Sequence, residues 1–547
     1  MELIPTRTWF RADEPVEIDL DEPTPADGAL SVWHIATRVH VQHVPAGSTR
    51  VRVGALPRGG YGVELRVGGA LATTAVDVLT DAFERPRYGF VVTLTDDVDT
   101  RAVARTYRRL HLTLAQLYDW AYRHSQLLPP TERYLDPLGQ ERDLGAVDAM
   151  CVELASAGVV PLGYSAVYAI GSDERATWPD SQLVRPDGEP YRLGEDFLVL
   201  VDPSDPRWLG HYLEQLAAVV EGTRIEGFHL DQYGWPKFAL RSDGVHVDLA
   251  EAFPALLAAV RERLPQTPFM FNNVNDFPTY ATARSPQNAT YIEVWPPHTT
   301  LEDLGRLATS ARSHRPEHPP ILSAYLSCYA DDEHRANACA TLVMATVFSH
   351  GATHLLLGES SNVLTDPYYP RNHRITEASL DLFVGWYDFQ VRYGDLLLDP
   401  TQVDVTEFFT GGINEDIVLS GADGVTFSTK ATPGTVWTRV VRTSRGLVIH
   451  LINLVGQDEV AWDAGKNDPT PQQGITLRLA PVAAPPTLVW ATPDSEGGAP
   501  RELDGRAEGV GSQHDALSAG QTYASYTLPP LTTWAIILLP GSSEEAT

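Results

Sequence analysis

From residue 1 to about residue 88, apolar and polar positions alternate with a period of two, the pattern of half-buried strands. Leu30 to Val41 alternates around Trp33, Ile35 and Val39, and Val51-Arg52-Val53, Tyr61 to Val67 and Leu71 to Leu79 read alike. Turns such as Pro45-Ala46-Gly47 and Arg58-Gly59-Gly60 separate them. Short strands at this spacing predict a β-sandwich over 1–88.

At Tyr88 the period changes. Short apolar runs now alternate with stretches of helical periodicity, which predicts βα units. Strands are expected at Phe90 to Leu94, Leu114 to Trp120, Val159 to Tyr168, Gly227 to Asp231, Phe269 to Phe271, Tyr291 to Trp295, Ile321 to Leu326 and His354 to Leu357. Helices are expected at Arg101 to Leu110, Leu144 to Ala157, Trp208 to Val220, Leu249 to Leu264, Leu301 to Ser313, Arg335 to Ser349 and from Glu377 to about Tyr393. Eight such strands make a central (β/α)8 TIM barrel over 89–395 the economical solution. Beyond it the pattern is β again, at Thr426-Phe427, Val436 to Val441, Gly446 to Leu454, Gly474 to Leu479, Thr487 to Trp490 and Thr533 to Leu539. A C-terminal β-sandwich over 396–547 is expected, so the chain reads as multidomain.

Composition narrows the function. The 547 residues include 12 Trp, 21 Tyr and 16 Phe, enough for large cores, and too many residues for one core alone. The formal net charge of -30 argues against nucleic acid and anionic membranes, which need clustered Lys and Arg. It suits a neutral substrate. Cys151, Cys328 and Cys339 are too few and too scattered for a disulfide framework or a zinc site, and read as buried thiols. No basic segment followed by an apolar core opens the chain. A cytoplasmic location is the expectation, with a secreted protein whose signal has been removed as the alternative.

The candidate chemistry lies at predicted strand ends. In Gly227-Phe228-His229-Leu230-Asp231-Gln232-Tyr233-Gly234 an apolar run delivers one carboxylate into a glycine-bearing loop, at what is the active face of a barrel. Asp119, Glu293 and Glu359 stand at three other ends. Tyr118, Trp120, Tyr122, Tyr233, Trp235 and Trp295 flank them, with amides at Gln232, Asn272 and Asn273. Carboxylates and amides take a sugar's hydroxyls, and aromatic faces take its C–H faces. A strand-end acid can equally cap a helix or hold a loop; Asp119 has Arg123 as a possible ion-pair partner. No His-Glu-x-x-His, Gly-x-Gly-x-x-Gly, Walker loop or Gly-x-Ser-x-Gly elbow occurs. Neither cofactor nor resident metal is therefore expected, although Asp196 or Asp331-Asp332 offers oxygen ligands of the kind calcium takes. Two carboxylates remain the best-supported machinery, and glycoside hydrolysis is their commonest use.

The order of motifs resembles glycoside hydrolase family 66, the dextranases and cycloisomaltooligosaccharide glucanotransferases. The resemblance runs through Arg87-Tyr88-Gly89-Phe90, Tyr118-Asp119-Trp120-Ala121-Tyr122-Arg123-His124, Ser165 to Ala169, Gly227 to Gly234, Tyr291-Ile292-Glu293-Val294-Trp295 and His354 to Glu359. It continues at Asp366-Pro367-Tyr368-Tyr369-Pro370-Arg371-Asn372, like that family's tyrosine-containing loop, and at His450 to Asn453. The resemblance implies an N-terminal immunoglobulin-like β-sandwich and a retaining mechanism on α-1,6-glucosidic bonds. It implies Asp231 as nucleophile and Glu293 as acid/base. Tyr118 and Asp119 match residues that hold the sugar at the cleaved bond, and the implied binding set extends to Tyr164, Gln232, Asn273, Trp295, Glu359 and Tyr369. Cyclising members carry a carbohydrate-binding module inserted in the barrel, and no connection here is long enough for one, which favours hydrolysis. The expected partner is an α-1,6-glucan, oligomeric or polymeric, linear or cyclic. A cycloisomaltooligosaccharide-forming glucanotransferase and a non-catalytic α-glucan-binding protein remain as alternatives.

Overall fold

The structure is a computed structural model, and it describes residues 1–195, 197–411, 413–480, 484–509 and 522–541. Asp196, one of the candidate calcium positions, lies outside these residues.

The N-terminal residues form two facing sheets. One pairs Leu3–Pro5, Pro15–Leu20 and Arg50–Ala55; the other pairs Thr37–Val44, Gly28–His34, Gly59–Val67 and Ala70–Val78. Val16 and Ile18 from the first and Leu30, Val32, Val63 and Leu65 from the second bury their side chains in one shared core. The run expected as one strand from Leu30 to Val41 is a hairpin, reversing at Ile35, whose φ is 53°. Pro15–Leu20 keeps the period of two, burying Val16, Ile18 and Leu20, whereas Leu3–Pro5 is too short to show one.

The central sheet is parallel and eight-stranded, in simple sequence order. Its strands are β1 (Tyr88–Val91), β2 (Leu114–Leu117), β3 (Val160–Ala166), β4 (Gly227–Asp231), β5 (Phe269–Asn272), β6 (Ala289–Glu293), β7 (Ile321–Ser323) and β8 (Thr353–His354). The main helices wrapped around them are α1 (Thr100–Arg109), α2 (Leu144–Ser156), α3 (Pro206–Gly222), α4 (Leu249–Arg263), α5 (Thr279–Thr282), α6 (Leu301–His314), α7 (Glu333–Ser349) and α8 (Glu377–Arg392). Residues of α3 show why they form a helix. Pro206 sits at its first turn, where a missing N–H costs nothing, and Trp208, Tyr212, Leu216 and Val219 bury one stripe. β4 is buried throughout, as a strand covered on both faces must be. It opens on Gly227 because a Cβ there would stand 2.2 Å from the carbonyl oxygen of Pro268.

Several strands end sooner than their apolar runs. The run Leu114 to Trp120 leaves the sheet after Leu117 because the chain turns at Asp119, whose φ of 44° no strand accommodates. Among the described residues no backbone ladder joins β8 to β1. Glu359 spans that seam instead, its Oε2 accepting the Val92 and Thr93 N–H groups at 3.0 Å each and its Oε1 the Thr93 hydroxyl at 2.5 Å.

α8 ties the barrel to both flanking units. Its Asp388 accepts the Ala75 N–H of the N-terminal sheet and contacts His111 Nε2 at 2.7 Å, while Arg392 donates to the Gly497 carbonyl at 2.8 Å. The C-terminal residues again form two sheets on one core, the larger containing Val436–Thr443, Gly446–Asn453 and Trp534–Pro540. Ile417–Ser420 and Arg501–Leu503 join them as strands that the sequence reading did not anticipate. No helix among the described residues is long and apolar enough to cross a membrane.

Candidate active site

At the C-terminal ends of the barrel strands lies a cavity of about 460 Å³. Asp231 ends β4 and Glu293 ends β6, so both point into it. Asn272, the last residue of the intervening β5, lies between them. Its Nδ2 is 2.7 Å from Asp231 Oδ1 and 2.8 Å from Glu293 Oε2. Two oxygens bonded to one nitrogen at those distances lie no more than about 5.5 Å apart. Tyr164, on β3, donates its hydroxyl to Asp231 Oδ2 at 2.7 Å, and Tyr325, just past β7, donates to Glu293 Oε1 at 3.0 Å.

Burial dominates the electrostatics. Desolvation and then the charge of Glu293 push Asp231 up to about 7, against donors at Tyr164, Asn272 and the Gln232 backbone that favour its charged form. Burial likewise raises Glu293. Two carboxyl groups this close resist carrying two negative charges at once, so ionising one raises the proton affinity of the other. Asp119 is also lifted to about 7, by burial first and the nearby charge of Asp136 second. Burial holds His229 down to about 3 and His124 down to about 4, so both rings are neutral. It raises the hydroxyls of Tyr118, Tyr164, Tyr233, Tyr325 and Tyr369, which stay protonated and able to donate. Among the described residues no Lys or Arg lines the cavity. Acidic groups, neutral donors and ring faces suit an uncharged polyol, or a group that becomes cationic while it reacts, and they repel anions.

Asp119 faces this cavity from the turn after β2. The turn is fixed from below: Arg142 Nε donates to the Asp119 carbonyl at 3.0 Å, and its guanidinium pairs with buried Asp136 at 2.8 Å. Arg123, the partner the sequence suggested for Asp119, binds Asp173 at 2.6 Å. Tyr118 lies against Tyr369 from the loop beyond β8. Trp295 leans on Tyr325, ring centroids 5.9 Å apart. Leu193 and Phe197, from the long polar connection after β3, line the cavity together with Trp235.

The structure therefore brings Tyr118, Asp119, Tyr164, Asp231, Gln232, Glu293, Trp295 and Tyr369 together around one cavity. Gln232 lines it, but its amide is spent on the Asn272 and Phe277 carbonyls and the Gly234 N–H. Two expected binding residues lie elsewhere. Asn273 is wholly buried, donating to the Phe271 and Tyr291 carbonyls and accepting the Thr282 hydroxyl. Glu359 is occupied at the β8–β1 seam. Asn272, which the sequence marked only as an amide for sugar hydroxyls, and Tyr325, which no sequence signal singled out, contact the acids themselves. Asp332, offered above as a calcium ligand, caps α7 by accepting the Arg335 N–H at 3.1 Å.

The sequence profile described as Glycosyl hydrolase family 66 matches residues 40–538. The chain belongs to that family. A cycloisomaltooligosaccharide glucanotransferase of Niallia circulans is 20% identical, the match covering 88% of this chain and 64% of the relative. This chain thus spans less than two thirds of that relative's length. The match runs over 642 residues, more than the 547 of this chain, so the relative carries additional residues inside the aligned region. A crystal structure of a Paenibacillus sp. cycloisomaltooligosaccharide glucanotransferase complexed with cycloisomaltoheptaose superposes with a TM-score of 0.87, over 98% of this chain and 99% of that one, at 16% identity. An α-amylase of Geobacillus thermoleovorans complexed with acarbose gives a TM-score of 0.52 over 84% and 99%, at 10% identity. Both structural likenesses concern the fold: a multidomain chain built on an eight-stranded parallel barrel.

Proposed function

We propose that this family 66 member is a retaining glycoside hydrolase that cleaves α-1,6-glucosidic linkages of dextran or isomaltooligosaccharides, linear or cyclic. The observation that carries the reading is the pair of acid oxygens held within about 5.5 Å by Asn272. Carboxyl groups about 5 Å apart suit a covalent glycosyl-enzyme; inversion needs several ångströms more, to admit a water between acid and sugar.

In this reading Asp231, ionised, attacks the anomeric carbon as the glycosidic C–O bond breaks. Glu293, protonated, gives its proton to the departing sugar oxygen. The resulting glutamate then takes a proton from water, whose oxygen displaces Asp231 from the sugar. Tyr164 holds Asp231 by one oxygen and leaves the other side of the carboxylate to Asn272 and the substrate. The Asp119 carboxylate accepts hydroxyl groups of the sugar at the cleaved bond, and the Tyr118, Tyr369 and Trp295 rings supply faces for its C–H groups.

The names of the curated relatives favour a second reading, in which the acceptor is a sugar hydroxyl of the same chain and the product is cyclic. Cyclisation requires the far end of a long glucan to be returned to the site and held there.

Product analysis tests both. Incubation with dextran, linear isomaltooligosaccharides and cycloisomaltooligosaccharides is expected to give shorter linear products, α-anomeric when first formed by proton NMR. Asp231→Gly and Glu293→Gln are expected to give none. A β-anomer formed first overturns retention, cyclic products favour the glucanotransferase, and binding without turnover favours a non-catalytic glucan-binding protein.

A further inference from the structure

Asn272 is 2% exposed, and its side-chain oxygen has no hydrogen-bond partner. An unpaired buried acceptor is costly, so something else must fix the amide. Its nitrogen carries two hydrogens, and two carboxylate oxygens stand at 2.7 and 2.8 Å from it, one on each acid. Behind it, Gln232 Nε2 donates to the Asn272 carbonyl at 3.1 Å and pins the end of β5. The amide therefore spends both donors on the acids and leaves its oxygen unsatisfied.

The geometry points to Asn272 as a positioning residue: one amide nitrogen sets the distance between Asp231 and Glu293 and favours the charged form of each over the neutral form. The inference rests on the assignment of Asp231 as nucleophile and Glu293 as acid/base.

The groups that face the pair leave little else to do this. Asp119 and Tyr118 approach from the turn after β2, Tyr164 from β3, His229 and Tyr233 from β4 and its loop, Tyr291 from β6, Tyr325 from beyond β7 and Tyr369 from beyond β8. None is a cation at neutral pH: the histidine is neutral, the tyrosines are protonated and Asp119 is a further acid. Donors alone support negative charge here. Removing the donor that serves both acids makes both bind their protons more tightly. The acid limb of the pH–rate profile, where Asp231 must lose its proton, then moves to higher pH. The alkaline limb, where Glu293 must keep its proton, moves the same way.

The test is kcat/KM against pH for wild type, Asn272→Ala and Asn272→Asp on a short isomaltooligosaccharide, with circular dichroism to establish folding. Misplaced reacting groups lower kcat by about 10²-fold. That loss is expected with KM within a few-fold of wild type and with both limbs shifted upward, further in Asn272→Asp because a third acid joins the pair. Reduced activity with both limbs in place overturns the inference. Carbon-13 titration of labelled carboxyl groups separates this result from failure of the functional reading. If wild type cleaves no α-glucan, an upward shift of both acids in Asn272→Ala, or in the uncharged and similarly sized Asn272→Leu where Asn272→Ala does not fold, still supports the positioning role, and unchanged titration overturns it.

Discussion

The rings of Tyr118 and Tyr369 lie nearly parallel, centroids 4.4 Å and planes 15° apart. One follows β2 and the other lies in the loop beyond β8, so the stack closes the cavity wall across the open side of the barrel. Stacked aromatic pairs are worth about 0.5–1.5 kcal/mol beyond the area they bury. Tyr118→Ala and Tyr369→Ala are each expected to raise KM with the fold intact. Because each ring holds the other in place, the double variant should lose less than the sum of the two, with a coupling of about 0.5–1.5 kcal/mol in kcat/KM. Strict additivity across the four enzymes would show that the rings act independently.

Asp231 pays for its position in stability. Its folded proton affinity is raised, to about 7 against an ordinary value of 3.8, so the folded state binds the proton more tightly than the unfolded chain does. Below pH 3.8 both states are protonated and burial of this group as an acid adds no penalty. The penalty grows as pH rises from there and is complete above about 7. Asp231→Asn is therefore expected to be inactive yet to unfold at a higher temperature than wild type at pH 8, with the gain vanishing towards pH 4. Scanning calorimetry across that range checks it; a gain independent of pH would mean that the carboxylate is not under strain.

Glu359 has a different task from the acids of the cavity. All observed bonds of its side chain run to Val92 and Thr93, where β8 and β1 share no ladder. Glu359→Ala leaves the buried Val92 N–H without a partner, at about 1–3 kcal/mol, and frees the part-buried Thr93 N–H to water. A lower thermal midpoint is expected, with KM for isomaltooligosaccharides changed by no more than a few-fold in the folded fraction. A large rise in KM at unchanged stability would return Glu359 to the substrate.

Glu359 and Asn273 show where reading by sequence stops. The barrel was legible because parallel strands are apolar on both faces and end abruptly, as in Phe228-His229-Leu230-Asp231. That same feature announced Asp231 and Glu293 as groups at one rim. It does not say which way the last residue points. Asn272 and Asn273 are chemically identical neighbours, and the alternation of a strand turns one into the cavity and the other into the wall. Only the register of β5 against β6, where Asn272 pairs with Tyr291, decides between them. Tyr325 was hidden for a similar reason: the run Ile321 to Leu326 reads as one apolar strand, but the ladder stops at Ser323 and frees the tyrosine to reach Glu293. At Glu359 the missing ladder to β1, a property of barrel closure and not of any local pattern, determines what the acid does.

Trp235 carries the last prediction. It lies on the cavity rim, 36% exposed, with Tyr191 from the long connection after β3 at 5.9 Å. Its backbone is anchored: the Tyr168 hydroxyl donates to the Trp235 carbonyl at 2.8 Å and accepts the Tyr233 N–H at 3.0 Å. An exposed indole on a fixed backbone is a ready face for a sugar ring, and it stands further out than the groups bonded to Asp231. A glucan long enough to reach it gains a stacking contact that a short one lacks. Loss of about 1.4 kcal/mol is tenfold in affinity. Trp235→Ala is thus expected to raise KM roughly tenfold for long isomaltooligosaccharides and to leave the shortest substrate unchanged. Parallel kcat/KM measurements on a length series decide it. Equal losses at every length would place the indole's influence at the cleaved bond, and no loss at any length would leave the rim without a sugar contact at this residue.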